Sequence, residues 1–109
     1  RGQTLGMSVD FRQSNDEGEL VTWIQSAAED FSGIVVNGGA YSHTSIAILD
    51  ALRAVGLPTI EVHLSNIYRR ESYRNHSYIS QAALGVICGL GAQGYLLALD
   101  ALARIVEEE

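Results

Sequence analysis

Short apolar segments alternate with amphipathic helical patterns along this chain, and that alternation limits the folds it can adopt. Two continuous apolar runs, Ile34–Val36 and Gly85–Cys88, are typical of strands buried on both faces of a parallel sheet. A third segment, residues 59–65, alternates strictly between apolar and polar residues, as a strand does. Helical spacing of apolar residues separates and follows these segments. The order predicts an α/β fold, a doubly wound parallel sheet with helices on both faces.

Other patterns complete the predicted order of elements. Val9 and Phe11 alternate with polar residues, which predicts a half-buried or edge strand at residues 7–14. Ser14 or Asn15 is expected to cap the first helix. Further helices are predicted over residues 44–55 and 92–106, and residues 66–82 show no clear period.

Composition excludes several classes of protein. The length of 109 residues points to one domain, and the net charge of −6 argues against a nucleic-acid binder with a broad basic face. The single cysteine, Cys88, excludes an intrachain disulfide and favours a reducing compartment. No apolar run approaches the length of about 20 residues that a membrane helix needs. The chain begins at Arg1 rather than at methionine, which leaves open that it is a part of a longer protein.

The strand predicted at residues 59–65 carries the most informative side chains. Its period puts Glu61, His63 and Ser65 on one face and apolar residues on the other. A carboxylate two residues before a histidine can orient the imidazole and favour its protonated form, which suits a general acid. The alternative is a buried polar pair without a catalytic role, and this strand alone does not decide between the two.

Two polar segments are further candidates for binding. Residues 37–45 combine two glycines with a cluster of polar side chains at a predicted helix N-terminus, where Ser42 or Thr44 could equally be an ordinary cap. Residues 69–76 hold three of the seven basic residues, with tyrosines between them. That cluster fits capture of a carboxylate or of hydroxyls, or a contact between subunits.

Other motifs are weaker. Residues 89–94 spell G-x-G-x-x-G between a strand and a helix, but the dinucleotide-binding fingerprint needs an acidic residue about 20 positions further on, and the chain ends before it. We therefore expect these glycines to serve a tight turn and close helix–sheet packing. The three histidines lack the spacing of a metal site, and Cys88 lies in an apolar strand, where packing is the expected role.

Three of these segments, taken together, carry a family resemblance. They are residues 37–45 (N-G-G-A-Y-S-H-T-S), 60–66 (I-E-V-H-L-S-N) and 70–78 (R-E-S-Y-R-N-H-S-Y). In combination they resemble type II 3-dehydroquinate dehydratase, and shorter matches extend the resemblance over essentially the whole chain. One departure is Gly38, where the family often has proline or alanine. Because Gly39 follows, we expect the loop to keep its shape.

The resemblance implies a fold, a reaction and an assembly. The fold would be flavodoxin-like and three-layered, and the protein a cytoplasmic lyase of the shikimate pathway of aromatic amino acid biosynthesis or of the quinate route. It would convert 3-dehydroquinate to 3-dehydroshikimate by trans elimination of water through an enolate, with no cofactor and no metal. The family assembles as a homo-oligomer, a dodecamer of four trimers.

The resemblance also implies roles for individual residues. His63 would be the general acid, with Glu61 behind it. The substrate carboxylate would be bound by Leu64 and Ser65, mainly through backbone N–H groups. The ring hydroxyls would be bound by Asn37, His43 and Arg74. Asp50 would reach the site of a neighbouring subunit.

The family begins with a central strand, an asparagine-rich loop and a mobile lid that supplies the tyrosine base and an arginine. None of the five tyrosines matches that base, so we expect it N-terminal to Arg1. Residues 1–109 would then be one N-terminally incomplete domain that lacks the central first strand and is inactive alone. Two alternatives stay open. One is a non-catalytic flavodoxin-like module that binds a small carboxylate or polyol, and the other is a flavin- or nucleotide-binding protein that uses residues 89–94.

Overall fold

The structure, a computed structural model, describes residues 8–74 and 76–108, and it contains a parallel sheet with helices between the strands. The strands are β1 (Ile34–Val36), β2 (Thr59–His63) and β3 (Gly85–Cys88), hydrogen-bonded in the order β1-β2-β3. The helices are α1 (Glu17–Asp30), α2 (Ile46–Val55) and α3 (Gln93–Glu108). None of these helices is long and apolar enough to cross a membrane. The predicted parallel α/β fold is confirmed.

The helices cover the two faces of the sheet and form two apolar clusters. On one face, α3 packs through Ala98 and Leu102 against Ile60 and Val62 of β2. On the other face, α1 and α2 pack against alternate residues of β1. Because Val36 of β1 pairs with Glu61, the polar side chains of β2 point toward the α1–α2 layer.

The caps of α1 and α2 differ from those predicted. Asp16, rather than Ser14 or Asn15, caps α1 and accepts a hydrogen bond from Gly18 N. Ser45 caps α2 through a 3.0 Å hydrogen bond from Ile48 N to its Oγ. Ser42 and Thr44 do not cap α2, because a 3-10 turn over Gly39–His43 delays the start of the helix by two residues.

The strand predicted at residues 7–14 is not formed in its described part, residues 8–14. A strand needs a neighbour to accept and donate its backbone hydrogen bonds. Here a cleft of about 920 Å³ lies between residues 8–15 and β1, and no strand of the described ranges is in reach to pair with this segment. As a result Val9 and Phe11 are 52% and 70% exposed.

The aperiodic region, residues 66–82, folds into three short 3-10 turns. They cover Ile67–Arg69, Ser72–Arg74 and Ile79–Gln81. Ile67 anchors the first turn at 4% exposure, and Ile79 of the last turn is fully buried in the cluster formed by α1 and α2. This anchor brings the residues around it against the polar face of β2.

The glycines between β3 and α3 serve backbone geometry, as predicted. Gly89 and Gly91 have φ values of 87° and 58°, which favour glycine. A side chain at Gly94 would approach Val62 Cγ1 to 3.2 Å, so glycine lets α3 lie close to the sheet.

Gly38 offers a test of how tightly the α1–α2 cluster is packed. An alanine Cβ there would lie 2.5 Å from Ile79 Cδ1 and 2.7 Å from Ser42 Oγ. Because both neighbours are fully buried, we expect Gly38→Ala to lower the free energy of unfolding by about 1–3 kcal/mol, measured by urea denaturation.

A double-mutant cycle identifies the contact responsible. Ile79→Val removes the Cδ1 methyl, so the combined variant should lose less stability than the sum of the two single variants. Strictly additive losses would show that the clash with Ile79 is not the cause.

Candidate active site

The polar face of β2 supplies the two central side chains of the site. Glu61 is completely buried and His63 is 5% exposed. His63 is the last residue of β2, so it lies at the carboxyl edge of the sheet, where parallel α/β proteins bind their ligands. The structure therefore puts the predicted pair in a position that a ligand can approach.

The Glu61 carboxylate is held by three donors. His63 Nε2 lies 2.5 Å from Oε2, which confirms the predicted pairing of the two residues. Ser77 Oγ donates to the same oxygen at 2.6 Å, and Ser80 Oγ donates to Oε1. A carboxylate buried this deeply is costly unless donors surround it, so these three hydrogen bonds explain how β2 tolerates Glu61.

The balance of burial and hydrogen bonding keeps Glu61 ionised. Burial raises the pKa of its carboxyl, but the hydrogen bonds from His63, Ser77 and Ser80 outweigh it and hold the pKa below the ordinary value of 4.5. An ionised carboxylate only accepts, so His63 Nε2 carries a hydrogen and donates it. The other ring nitrogen of His63, Nδ1, makes no hydrogen bond with the residues that the structure describes.

His43 lies beside this pair. The two imidazole rings stack with centroids 6.1 Å apart and an angle of 17° between their planes. His43 Nδ1 lies 2.7 Å from the carbonyl oxygen of His76 and donates to it. That bond fixes the ring and leaves Nε2 of His43 available.

Asn37 follows β1 directly, and both ends of its side chain are engaged. Its Oδ1 accepts from Gly39 N at 3.0 Å, and its Nδ2 donates to the Tyr95 hydroxyl at 2.9 Å. Tyr95 belongs to α3, and both residues line the cleft beside β1. The Tyr95 contact could not be predicted from sequence, since the two residues are 58 positions apart.

Leu64 and Ser65 are exposed immediately beyond β2. The backbone there is tied to the turn that follows β3, because Gly89 N donates to His63 O and Gly91 N donates to Leu64 O, at 3.2 and 2.9 Å. The end of β2 and this glycine turn therefore form one connected edge.

Arg74 and Asp50 are the two remaining predicted site residues. Arg74 Nε forms a 2.8 Å ion pair with Glu71, and its guanidinium lies 5.4 Å from the centre of the Tyr73 ring. Asp50 is exposed on α2. In the described ranges no hydrogen bond or ion pair joins either residue to His43 or His63.

Ser77 and Ser80 were not predicted as site residues. A signal for them existed in the sequence: a carboxylate inside an apolar strand must find donors, and two serines three positions apart can lie on one side of a 3-10 turn. What the sequence could not supply is the position of that turn, because residues 66–82 have no hydrophobic period.

Comparison with known proteins matches residues 1–103 to the family described as dehydroquinase class II. The chain belongs to this family. Among class II dehydroquinases, the 3-dehydroquinate dehydratase of Brucella canis is 57% identical over 105 residues, which are 96% of this chain and 67% of that protein.

Solved structures agree with this assignment. The type II dehydroquinase of Propionibacterium acnes has a TM-score of 0.89 and 48% identity, covering 94% of this chain and 71% of that one. The type II dehydroquinase of Butyrivibrio crossotus also has a TM-score of 0.89, with 42% identity over 92% of this chain and 70% of that one. The resemblance to type II dehydroquinases is thereby confirmed.

The ionised state of Glu61 has a measurable effect on stability. A carboxyl whose pKa is lowered by folding stabilises the native state above its unfolded pKa, and this contribution is lost as the pH falls through the native pKa. We expect Glu61→Gln, which leaves buried donors mismatched, to lower the free energy of unfolding by about 1–3 kcal/mol at pH 7. The difference from the wild type should shrink progressively below pH 4.5.

Urea denaturation at several pH values between 7 and 3 measures this difference. Glu29→Gln, at an exposed position of α1, controls for the loss of one negative charge. A stability gap between wild type and Glu61→Gln that is as large at pH 3 as at pH 7 would contradict the ionised state of Glu61.

Proposed function

We propose that the protein is a type II 3-dehydroquinate dehydratase, a lyase that removes water from 3-dehydroquinate to give 3-dehydroshikimate. Membership of the class II dehydroquinase family and 57% identity to a 3-dehydroquinate dehydratase support this activity. The main structural support for this activity is the His63–Glu61 pair at the carboxyl end of β2. The buried Glu61 carboxylate binds one ring nitrogen of His63, and the other ring nitrogen can face a substrate.

His63 acts as the general acid in this proposal. Loss of the hydroxyl requires a proton, and the imidazolium donates it from Nδ1–H while Nε2–H stays bound to Glu61. The hydroxyl leaves as water, and His63 becomes neutral. Glu61 does not touch the substrate, but its carboxylate accepts from Nε2–H and so decides which ring nitrogen faces the substrate.

The remaining predicted residues form the substrate site. Leu64 and Ser65 bind the carboxylate beside His63, and the exposed end of β2 that they form supports this assignment. Asn37, His43 and Arg74 bind ring hydroxyls. For His43 the support is its stacking on His63 and the free Nε2, whereas Arg74 has to share or release Glu71.

The catalytic base, which removes the substrate proton, lies in a part of the enzyme other than residues 8–74 and 76–108. We infer that a tyrosine N-terminal to these residues removes the substrate proton, and that a further strand of the flavodoxin-like domain occupies the cleft beside β1. Three features support this: the size of the cleft, the free edge of β1, and the solved P. acnes relative, of which this chain covers 71%. No cofactor takes part in this mechanism.

We also propose a homo-oligomer, a trimer-based dodecamer, working in the cytoplasm. Exposed apolar side chains on and beside β3, among them Leu84, Val86 and Leu90, support an assembly that covers them. Asp50 on the outside of α2 is then free to reach a neighbouring subunit's site. The unpaired Cys88 is consistent with a reducing compartment.

Replacement of His63 tests the proposed activity. We expect His63→Ala to lower kcat by about 10²–10⁴-fold with 3-dehydroquinate, because the general acid is lost. Formation of 3-dehydroshikimate is followed by its ultraviolet absorbance. His76→Ala is the matched control, since the exposed side chain of His76 packs edge-on against Tyr78, and the His76 carbonyl still accepts from His43 in the variant.

Two results would count against the assignment. A His63→Ala variant that keeps most of its turnover refutes the role of His63. A wild-type protein that binds 3-dehydroquinate in a calorimetric titration, but never converts it, favours the non-catalytic binding module instead.

Arg74 provides an independent test of substrate binding. We expect Arg74→Ala to raise KM at least about tenfold with a smaller change in kcat, because a charged hydrogen bond to the substrate is lost in the ground state. Arg70→Ala is the control, since Arg70 lies 3.9 Å from the same Glu71 carboxylate. Equal KM values in the two variants would remove Arg74 from the binding site.

A further inference from the structure

The Glu61 carboxylate depends on a segment that sequence reasoning did not assign to the site. Ser77 Oγ and Ser80 Oγ each donate to a different oxygen of Glu61, and His63 Nε2 occupies a third position. Ser77 is itself buried. Both carboxylate oxygens therefore have a hydroxyl donor, which fixes the plane of the carboxylate as well as its position.

The chemical nature of these donors matters. A lysine or arginine beside Glu61 would cancel its charge, whereas serine hydroxyls stabilise a carboxylate without neutralising it. The negative charge therefore stays available to His63. The hydroxyl donors also make the carboxylate a weaker base, so the shared proton remains on the imidazole and is not passed to Glu61.

The backbone holds these hydroxyls in place. Ser77 Oγ accepts from Ser80 N at 3.4 Å, which ties Ser77 to the following 3-10 turn, Ile79–Gln81. Tyr78 N donates to Ser42 O at 2.7 Å, and Ile79 is fully buried between the two serines. The hydroxyls thus reach Glu61 from a turn that is anchored on both sides.

We propose that Ser77 and Ser80 are positioning residues for catalysis: they hold the Glu61 carboxylate ionised and oriented, so that His63 keeps Nε2 on Glu61 and presents Nδ1 to the substrate. This inference rests on the proposed dehydratase function. It goes beyond that function by assigning a role to two residues that do not touch the substrate.

Few other groups act on this pair. From the layers packed against it, His43 stacks on the His63 ring, and Cys88 of β3 pairs with His63 in the sheet. The β1 and β3 residues that pair with Glu61 are Val36 and Val86, which carry no charge. Among the described residues, the side chains that donate hydrogen bonds to Glu61 are therefore His63, Ser77 and Ser80.

The test compares Ser77→Ala/Ser80→Ala with the wild type by ¹³C NMR of glutamate labelled at the side-chain carboxyl, using Glu61→Gln to assign the Glu61 signal. Without the two donors a buried carboxylate is harder to ionise, so its titration midpoint should rise by at least about one pH unit. In turnover assays kcat should fall about 10- to 100-fold, as is typical when the groups that orient a reacting residue are lost. KM should change little, and the acid limb of the rate profile should move to higher pH.

Two variants serve as controls. Ser42→Ala removes a fully buried hydroxyl of the same region that has no hydrogen-bond partner among the described residues, so the Glu61 midpoint should not move. Ser80→Thr keeps a hydroxyl at an exposed position and should restore kcat relative to Ser80→Ala. If the double variant does not fold, the single variant Ser80→Ala gives the same comparison.

The outcomes separate this inference from the proposed function. A Glu61 midpoint and kcat that are unchanged in the double variant, in an active protein, overturn the inference and leave the dehydratase function standing. The NMR titration requires no turnover. A raised midpoint in a protein that never converts 3-dehydroquinate therefore supports the proposal that the serines keep Glu61 ionised, and it refutes the dehydratase function. A loss of thermal stability with an unmoved midpoint also overturns it, since the serines would then be structural only.

Discussion

The hydrogen bond between His63 and Glu61 is the interaction on which the rest of the site depends. It forces an anion into the sheet, since Glu61 is fully buried on β2, and that burial has to be offset by donors. The serines of the turn at residues 77–80 supply them, and the burial of Ile79 fixes the turn in place. One electrostatic requirement on one strand is thereby met by the last part of a region without any hydrophobic period.

The elements that can be predicted from sequence are those in which local pattern and burial agree. The apolar runs of β1 and β3 form strands with the predicted bounds, although both strands are only partly buried and Val86 of β3 is exposed. The segment at residues 8–14 has an equally regular alternation, yet it forms no strand in its described part, because alternation expresses a preference and a strand also needs a neighbour. The cap of α2 shifted from Ser42 or Thr44 to Ser45 for a related reason: a preceding turn, which leaves no period in the sequence, decides where the helix begins.

The same distinction applies to the site. The pairing of Glu61 with His63 could be predicted from sequence, because residues two positions apart on a strand lie next to each other on the same face of the sheet. The stacking of His43 on His63 and the contact of Asn37 with Tyr95 could not, since they join residues 20 and 58 positions apart through the packing of separate elements. The family resemblance pointed to His43 and Asn37, but their partners, the His76 carbonyl and the Tyr95 hydroxyl, emerge only from the three-dimensional arrangement.

The position in the chain of the serines that donate to Glu61 has a consequence for folding during synthesis on the ribosome. Glu61 and its hydroxyl partners are 16 and 19 residues apart, and the partners emerge later. A nascent chain that has emerged only as far as residue 75 already contains β1, β2, α1 and α2, but burying its carboxylate is still unfavourable. The donors to Glu61 are complete only when residues 77–80 have emerged, and β2 gains its second sheet neighbour later still, when β3 emerges. Burial of Glu61 with all of its donors therefore requires a segment that the ribosome adds after β2 has already been made.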